Sequence, residues 1–200
     1  MSRRKRRFIL LLFLPAIILL VLLDNTYIKF KWQSRPLRQE QARATDLDKY
    51  QAKVFAVTNV VDGDTLDIDV PDGRDNHTRI RLIGVDAPET HAESSPMYFG
   101  PEAAEFLKKI ALGKQITTYL DEISQTRDKY GRLLAYVKLP DDRFLNEVLL
   151  SEGFAYADLR FRHSLYNKYK QIESRARTGK KGLWQNVTPD QLPQWMQGQE

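Results

Sequence analysis

Residues 53–85 read KVFAVTNVVDGDTLDIDVPDGRDNHTRIRLIGV, and their pattern decides the fold class. Lys53 to Val61 is rich in β-branched and aromatic residues, and Thr65 to Val70 alternates apolar with acidic side chains, as a strand with one buried face does. Asp62-Gly63-Asp64 separates these runs and Pro71-Asp72-Gly73 follows the second; both have turn chemistry. His77 to Gly84 alternates again, with Ile80 and Leu82 on one face and Arg81 on the other. This pattern predicts three strands in a meander.

Downstream, a loop rich in Pro, Ser and Glu leads to Gly100-Pro101-Glu102, which opens a helix with Pro at its first position and an acid beside the positive end of the dipole. Ala103, Phe106, Leu107 and Ile110 line one face, and Gly113 sits where a C-terminal cap belongs. Gln115 to Leu120 and Leu133 to Leu139 read as two further strands, with a turn around Lys129 to Gly131. Phe144 to Ser151 reads as a short helix and Ser164 to Thr178 as a longer one, with Leu165, Tyr169, Ile172 and Ala176 along a face. The expected class is α+β: a five-stranded OB-fold β-barrel with a helix between strands 3 and 4 and C-terminal helices, preceded by one N-terminal transmembrane helix.

Composition narrows the chemistry. The absence of cysteine excludes a disulfide framework, Cys-based zinc sites, iron–sulfur clusters and a thiol nucleophile. The net charge of +5 comes wholly from Arg3, Arg4, Lys5, Arg6 and Arg7, since residues 24–200 carry 26 bases and 26 acids. Overall basicity is therefore no argument for a nucleic-acid partner; local placement has to be. Six aspartates against Arg74 leave residues 62–75 at −5, which suits a cation, while residues 160–181 carry +7, a surface for phosphate backbone.

The basic cluster at residues 1–7 precedes an apolar run from Phe8 to Leu23, the order of a signal anchor. At 1.5 Å per residue, 16 helical residues reach roughly 24 Å, a little short of a bilayer core. No small-x-small cleavage site follows Leu23, and Ala42-Arg43-Ala44 lies too far downstream. The expectation is a single-pass anchor (8–23) with residues 1–7 cytoplasmic, a polar stalk (24–49), an extracytoplasmic domain (50–186) and a polar tail (187–200). Secretion after cleavage is the alternative.

Three short segments carry chemistry. Asp62-Gly63-Asp64-Thr65 is a hairpin turn by composition, and its paired carboxylates also suit a hard cation. Arg81 through Asp86-Ala87-Pro88-Glu89-Thr90 places two acids around a proline that restricts the backbone between them. Asp128-Lys129-Tyr130-Gly131-Arg132 reads alone as a charged hairpin. His77, His91 and His163 show no ligand spacing.

Taken in order, Val60 through Thr65, Arg81 through Thr90, Gly100-Pro101-Glu102-Ala103 and Asp128 through Arg132 resemble the motifs of the staphylococcal-type thermonucleases, calcium-dependent nucleases built on an OB-fold. The similarity spans roughly Lys53 to Trp184. It implies that Asp64 and Asp86 supply carboxylates to Ca2+ and Ala87 its backbone carbonyl, with Asp62 behind them orienting water. Glu89 would be the general base or position the attacking water, and Arg81 and Arg132 would clamp the phosphate. Lys129 and Tyr130 would contact the next phosphate and Leu134 the base. The family's paired tyrosines are not clearly present after the second helix, where Phe161 stands in place of one. The resemblance implies hydrolysis of DNA and RNA, single-stranded or frayed duplex favoured, leaving 3′-phosphate and 5′-hydroxyl ends, by a monomer with no obligate protein partner. Two other classes stand beside it: a non-catalytic nucleic-acid-binding module, and a tethered OB barrel for an oligosaccharide or cell-wall ligand. Retention of Asp64, Arg81, Asp86, Glu89 and Arg132 favours the enzyme.

Overall fold

The computed structural model of the 200-residue chain describes residues 38–90 and 96–197. The expected basic leader, the anchor and the stalk as far as residue 37 lie outside the described residues. Among the described residues, no helix is long and apolar enough to cross a membrane. The chain divides between Thr45 and Asp46, and the barrel belongs entirely to the second unit.

Five strands close into a barrel in the order β1 (Lys53–Asp62), β2 (Thr65–Ile68), β3 (Thr78–Leu82), β6 (Leu133–Lys138) and β5 (Gln115–Tyr119). Strands β1, β2 and β3 form the expected meander, and β5 pairs antiparallel with both β1 and β6. The barrel closes through a parallel pairing of β3 with β6, which places Arg81 opposite Leu134. Register shifts in β1 between Val57 and Asn59 and between Val60 and Asp62 give it the curvature that closure needs. This closed, mixed five-stranded barrel has the OB-fold plan.

Side chains facing inward explain the alternation: Leu66, Ile68, Ile80, Leu82, Ile116, Leu133, Ala135 and Val137 are all buried. Burial of a side chain of this kind is worth about 1.5–3 kcal/mol. Strand β2 is buried on both faces, and the acids in it and just beyond it are taken up by structural hydrogen bonds. Asp67 accepts both Arg79 Nε (2.8 Å) and the Asn59 amide (3.1 Å), and Asp69 accepts the Ala56 N–H. Much of the acidity of residues 62–75 is thus spent on holding strands together.

A second sheet, not expected from the sequence, pairs β4 (Val85–Asp86) with β7 (Tyr156–Ala157). Among the described residues, α1 spans residues 38–50, and α2 (Gly100–Ala111), α3 (Leu145–Ser151) and α4 (Tyr166–Thr178) follow. Tyr50 ends α1 fully buried, its hydroxyl 2.9 Å from Thr78 Oγ1. Helix α2 buries Ala103, Leu107 and Ala111 and stacks Phe106 on Phe154 at 3.9 Å. Helix α4 buries Tyr169, Ile172 and Ala176, as its spacing predicts, and Glu173 with them. Two short 3₁₀ turns, Gly182–Gln185 and Pro189–Gln191, follow α4. They bring Leu183, Trp184 and Leu192 into a small second core with Tyr156 and Ala176, against which Tyr98, Phe99, Val187, Trp195 and Met196 pack.

Candidate active site

At the mouth of the barrel, β1 ends on Asp62 and the turn Gly63-Asp64 leads into β2. A Cβ at Gly63 would stand 2.7 Å from the Ala87 Cβ and 2.9 Å from that of Ala103, so only glycine lets this turn lie against the 86–90 segment and α2. The turn carries Asp64 inward to 1 % exposure. Its Oδ2 accepts the Ala87 N–H at 2.7 Å, and its Oδ1 accepts the Thr65 hydroxyl at 3.0 Å and pairs with Arg81 Nη1. Burial raises the Asp64 pKa above the usual carboxylate value, outweighing the opposing pull of Arg81 and the Ala87 N–H.

Arg81 sits in β3 opposite Thr65, which aims its side chain at this turn. Its Nη2 donates to Asp86 Oδ1 at 2.5 Å and to the Val85 carbonyl at 3.3 Å. Burial works against the guanidinium charge, and Asp64 and Asp86 overcome it, lifting the Arg81 pKa above its ordinary value. Asp86 is itself fixed by the β4–β7 pairing. Its other oxygen, Oδ2, accepts the Trp195 indole N–H at 2.9 Å and stands 3.1 Å from Arg160 Nη2.

Asp62 Oδ1 accepts the Gly63 N–H at 2.8 Å and the Thr90 hydroxyl at 2.9 Å. Glu89 stands beside it, still exposed to solvent. Burial, then a hydrogen bond to Asp62, then the charges of Asp62 and Asp64 push the Glu89 pKa up to about 7. A Cβ at Gly100 would come within 2.5 Å of the Glu89 carbonyl, so the bare glycine at the start of α2 lets Glu89 approach.

The structure therefore brings together Asp62, Asp64, Arg81, Asp86, Ala87 and Glu89. It does not bring Arg132 to the same point. Arg132 Nε donates to Asp128 Oδ2 at 2.7 Å within its own loop, and the guanidinium lies 5.4 Å from the Tyr130 ring centre. Lys129 lies 4.8 Å from that same ring, and Tyr130 is 72 % exposed. Leu134 lies on β6 opposite Arg81. The loop is clamped by Arg127, which donates to the Gly131 carbonyl at 3.0 Å, to Asp46 at 2.7 Å and to Asp72. Sequence reasoning missed Thr90, Arg127, Arg160 and Trp195 as parts of the site. Thr90 stood inside a quoted motif, while Trp195 lies 109 positions from its partner and carried no local signal.

A closed barrel carrying a carboxylate–arginine centre on its β2 turn and β3–β4 edge defines an OB-fold domain with a charged site at the mouth of the barrel. The comparisons make this specific. The family described as Staphylococcal nuclease homologue (SNase) matches residues 79–186. The thermonuclease of Staphylococcus hyicus is 34 % identical over 161 residues, covering 80 % of this chain and 89 % of that one. The thermonuclease of Staphylococcus intermedius is 38 % identical over 133 residues, covering 66 % and 76 %. The endonuclease YhcR of Bacillus subtilis is 32 % identical over 143 residues, 66 % of this chain and 11 % of that much longer protein. The chain belongs to the staphylococcal nuclease family.

Proposed function

We propose that the protein is a calcium-dependent nuclease that hydrolyses phosphodiester bonds of DNA and RNA with little sequence preference. The observation that carries this reading is the convergence of Asp64 and Asp86 on the partly buried Arg81, with Glu89 and Asp62 alongside.

The donor set suits a hard divalent cation. Among the described residues no group of three or more His, Cys, Asp or Glu is gathered as a metal cluster. The proposed set needs only two carboxylates and the Ala87 carbonyl, all hard oxygen donors. Burial penalises the Asp64 carboxylate charge even with Arg81 beside it, so a further cation there would be favoured. Asp64, Asp86 and Ala87 would hold Ca2+, which supplies charge stabilisation to the phosphate oxygens and a positioned water.

The side chains do the rest. Arg81 is held fully charged between Asp64 and Asp86, and once a cation takes over those carboxylates its planar donor fork would be free to match phosphate. Arg132, released from Asp128, is the second clamp, and the Arg127 anchor keeps its loop within reach. Glu89, with its carboxyl near neutrality, receives a proton from the attacking water, and Asp62 with Thr90 fixes its orientation. Lys129 and Tyr130 take the neighbouring phosphate, and Leu134 the base. In-line attack of the water forms the new P–O bond as the P–O5′ bond breaks, and the departing 5′-oxygen takes a proton from solvent, leaving a 3′-phosphate and a 5′-hydroxyl.

The test is incubation of the purified chain with single-stranded DNA in calcium, in magnesium and in chelator, with product ends mapped. Cleavage in calcium with 3′-phosphate ends is expected. Binding without cleavage in any condition would overturn the enzyme and leave a nucleic-acid-binding module.

A further inference from the structure

The last stretch of the chain reaches the active site. Trp195 lies beyond both 3₁₀ turns, yet its Nε1 donates to Asp86 Oδ2 at 2.9 Å. The Arg160 guanidinium lies over the same indole at 4.6 Å and stands 3.1 Å from the same oxygen. Arg160 is in turn held by Asp158, its Nε at 2.8 Å and Nη2 at 2.9 Å. The tail is anchored well before Trp195: Leu192 is buried, and a capping box between Thr188 and Gln191 fixes the turn that precedes it.

This arrangement divides the two oxygens of Asp86. Oδ1 faces Arg81 and Asp64, towards the centre, while Oδ2 is turned away to the indole and Arg160. A carboxylate on a freely rotating torsion offers either oxygen, or both. A donor fixed on one of them selects the other and sets its direction, and such outer partners of a ligand govern metal affinity. An indole N–H donates and cannot accept, so it demands an acceptor at this position in every state of the site.

We propose that Trp195 is a positioning residue, which with Arg160 holds Asp86 Oδ2 so that Oδ1 alone is presented to the cation. The proposal rests on the calcium reading above and adds to it that the C-terminal segment is part of the site's construction. The segment's contribution is orientation: the Trp195 indole N–H reaches Asp86 and acts through that carboxylate.

The test uses the full-length chain in mild detergent, wild type beside Trp195→Phe, which keeps an aromatic ring under Arg160 and deletes the N–H donor. Calcium binding is measured by titration calorimetry, and melting in chelator reports folding. The expected result is melting close to wild type with calcium affinity at least about 10-fold weaker, the scale typical of lost outer partners. Cleavage should return towards the wild-type rate once calcium is raised above the weakened Kd. In 1H–15N spectra of the wild type, the indole N–H signal that Trp195→Phe lacks should shift when calcium is added. Unchanged affinity in Trp195→Phe, a cleavage loss that excess calcium fails to restore, or an indole signal indifferent to calcium would each overturn the positioning role. A wild type that binds no calcium would overturn the cation reading itself and this proposal with it, which separates the two failures.

Discussion

Arg81 is the residue on which the site turns, since it pairs with two carboxylates at once while only partly exposed among them. Removing one partner of a buried ion pair typically costs about 3–5 kcal/mol, because the other charge is left uncompensated. Arg81→Ala is therefore expected to melt well below wild type in chelator and to recover part of that loss in calcium, as thermal melts with and without the ion will show. Glu173 offers a separate test, of burial alone. It lies in α4, accepts the Ala157 N–H at 3.0 Å, and is pushed up to about 7, by burial first, against the pull of that hydrogen bond and of Arg177. Its folded-state pKa is above the unfolded value, so no stability is lost below about pH 4.5, and stability falls as pH rises through 7. Glu173→Gln should consequently raise the melting temperature at pH 8, by up to about 3 kcal/mol in stability, and leave it nearly unchanged at pH 4. Equal effects at both pH values would contradict the assignment.

The elements that hold the chemistry are short, and their precision comes from contacts between them. The turn between β1 and β2 tolerates no side chain at Gly63, so Gly63→Ala should cost roughly 1–3 kcal/mol by overpacking and lower activity by displacing Asp64. Melting and rate measured together check this; a variant stable but inactive would place the effect on Asp64 alone. The loop carrying Lys129, Tyr130 and Arg132 depends on Arg127 in the same way. Arg127→Met leaves the buried Asp46 without its cation, costing about 1–3 kcal/mol, and should raise KM for single-stranded DNA more than it lowers kcat. At this scale the legibility of the sequence has a clear boundary. Strands announced by alternation and the α2 start announced by Gly100-Pro101-Glu102 are found where the pattern puts them, because these signals are local. The parallel β3–β6 closure, the two-residue pair β4–β7 and the clamp of Arg127 on Asp46 and Asp72 were not legible. Each joins residues far apart in the chain, through hydrogen bonds that any sequence of suitable shape could make. His163 belongs with them: assigned no role from its spacing, it is buried with Nδ1 2.9 Å from the Tyr136 hydroxyl, which donates to Asp121 at 2.8 Å.

For the whole molecule, the acids of the candidate site were legible only through the ordered resemblance of several motifs, since Asp62-Gly63-Asp64 alone reads as a hairpin turn that could also suit a cation. The enclosure of Asp86 by Arg160 and Trp195 was not, since it depends on how the chain ends fold back. Cellular placement rests on the N-terminal order of five basic residues and an apolar run, from which we propose a single-pass anchor with the barrel outside the cytoplasm, where calcium is abundant and the cell's own nucleic acid is shielded. A topology reporter fused after Glu200 should therefore signal from the extracytoplasmic side, and a cytoplasmic signal would reverse that orientation. The central claim is chemical: Asp64, Arg81, Asp86 and Glu89 form one hydrolytic centre. It is tested most directly by the cleavage rate of single-stranded DNA in calcium for the wild type, Glu89→Gln and Arg81→Ala, each first shown to be folded under the assay conditions. The predicted result is a loss of about 10²–10⁴-fold for Glu89→Gln and at least about 10²-fold for Arg81→Ala. Folded variants that cleave at the wild-type rate would show that the centre lies elsewhere.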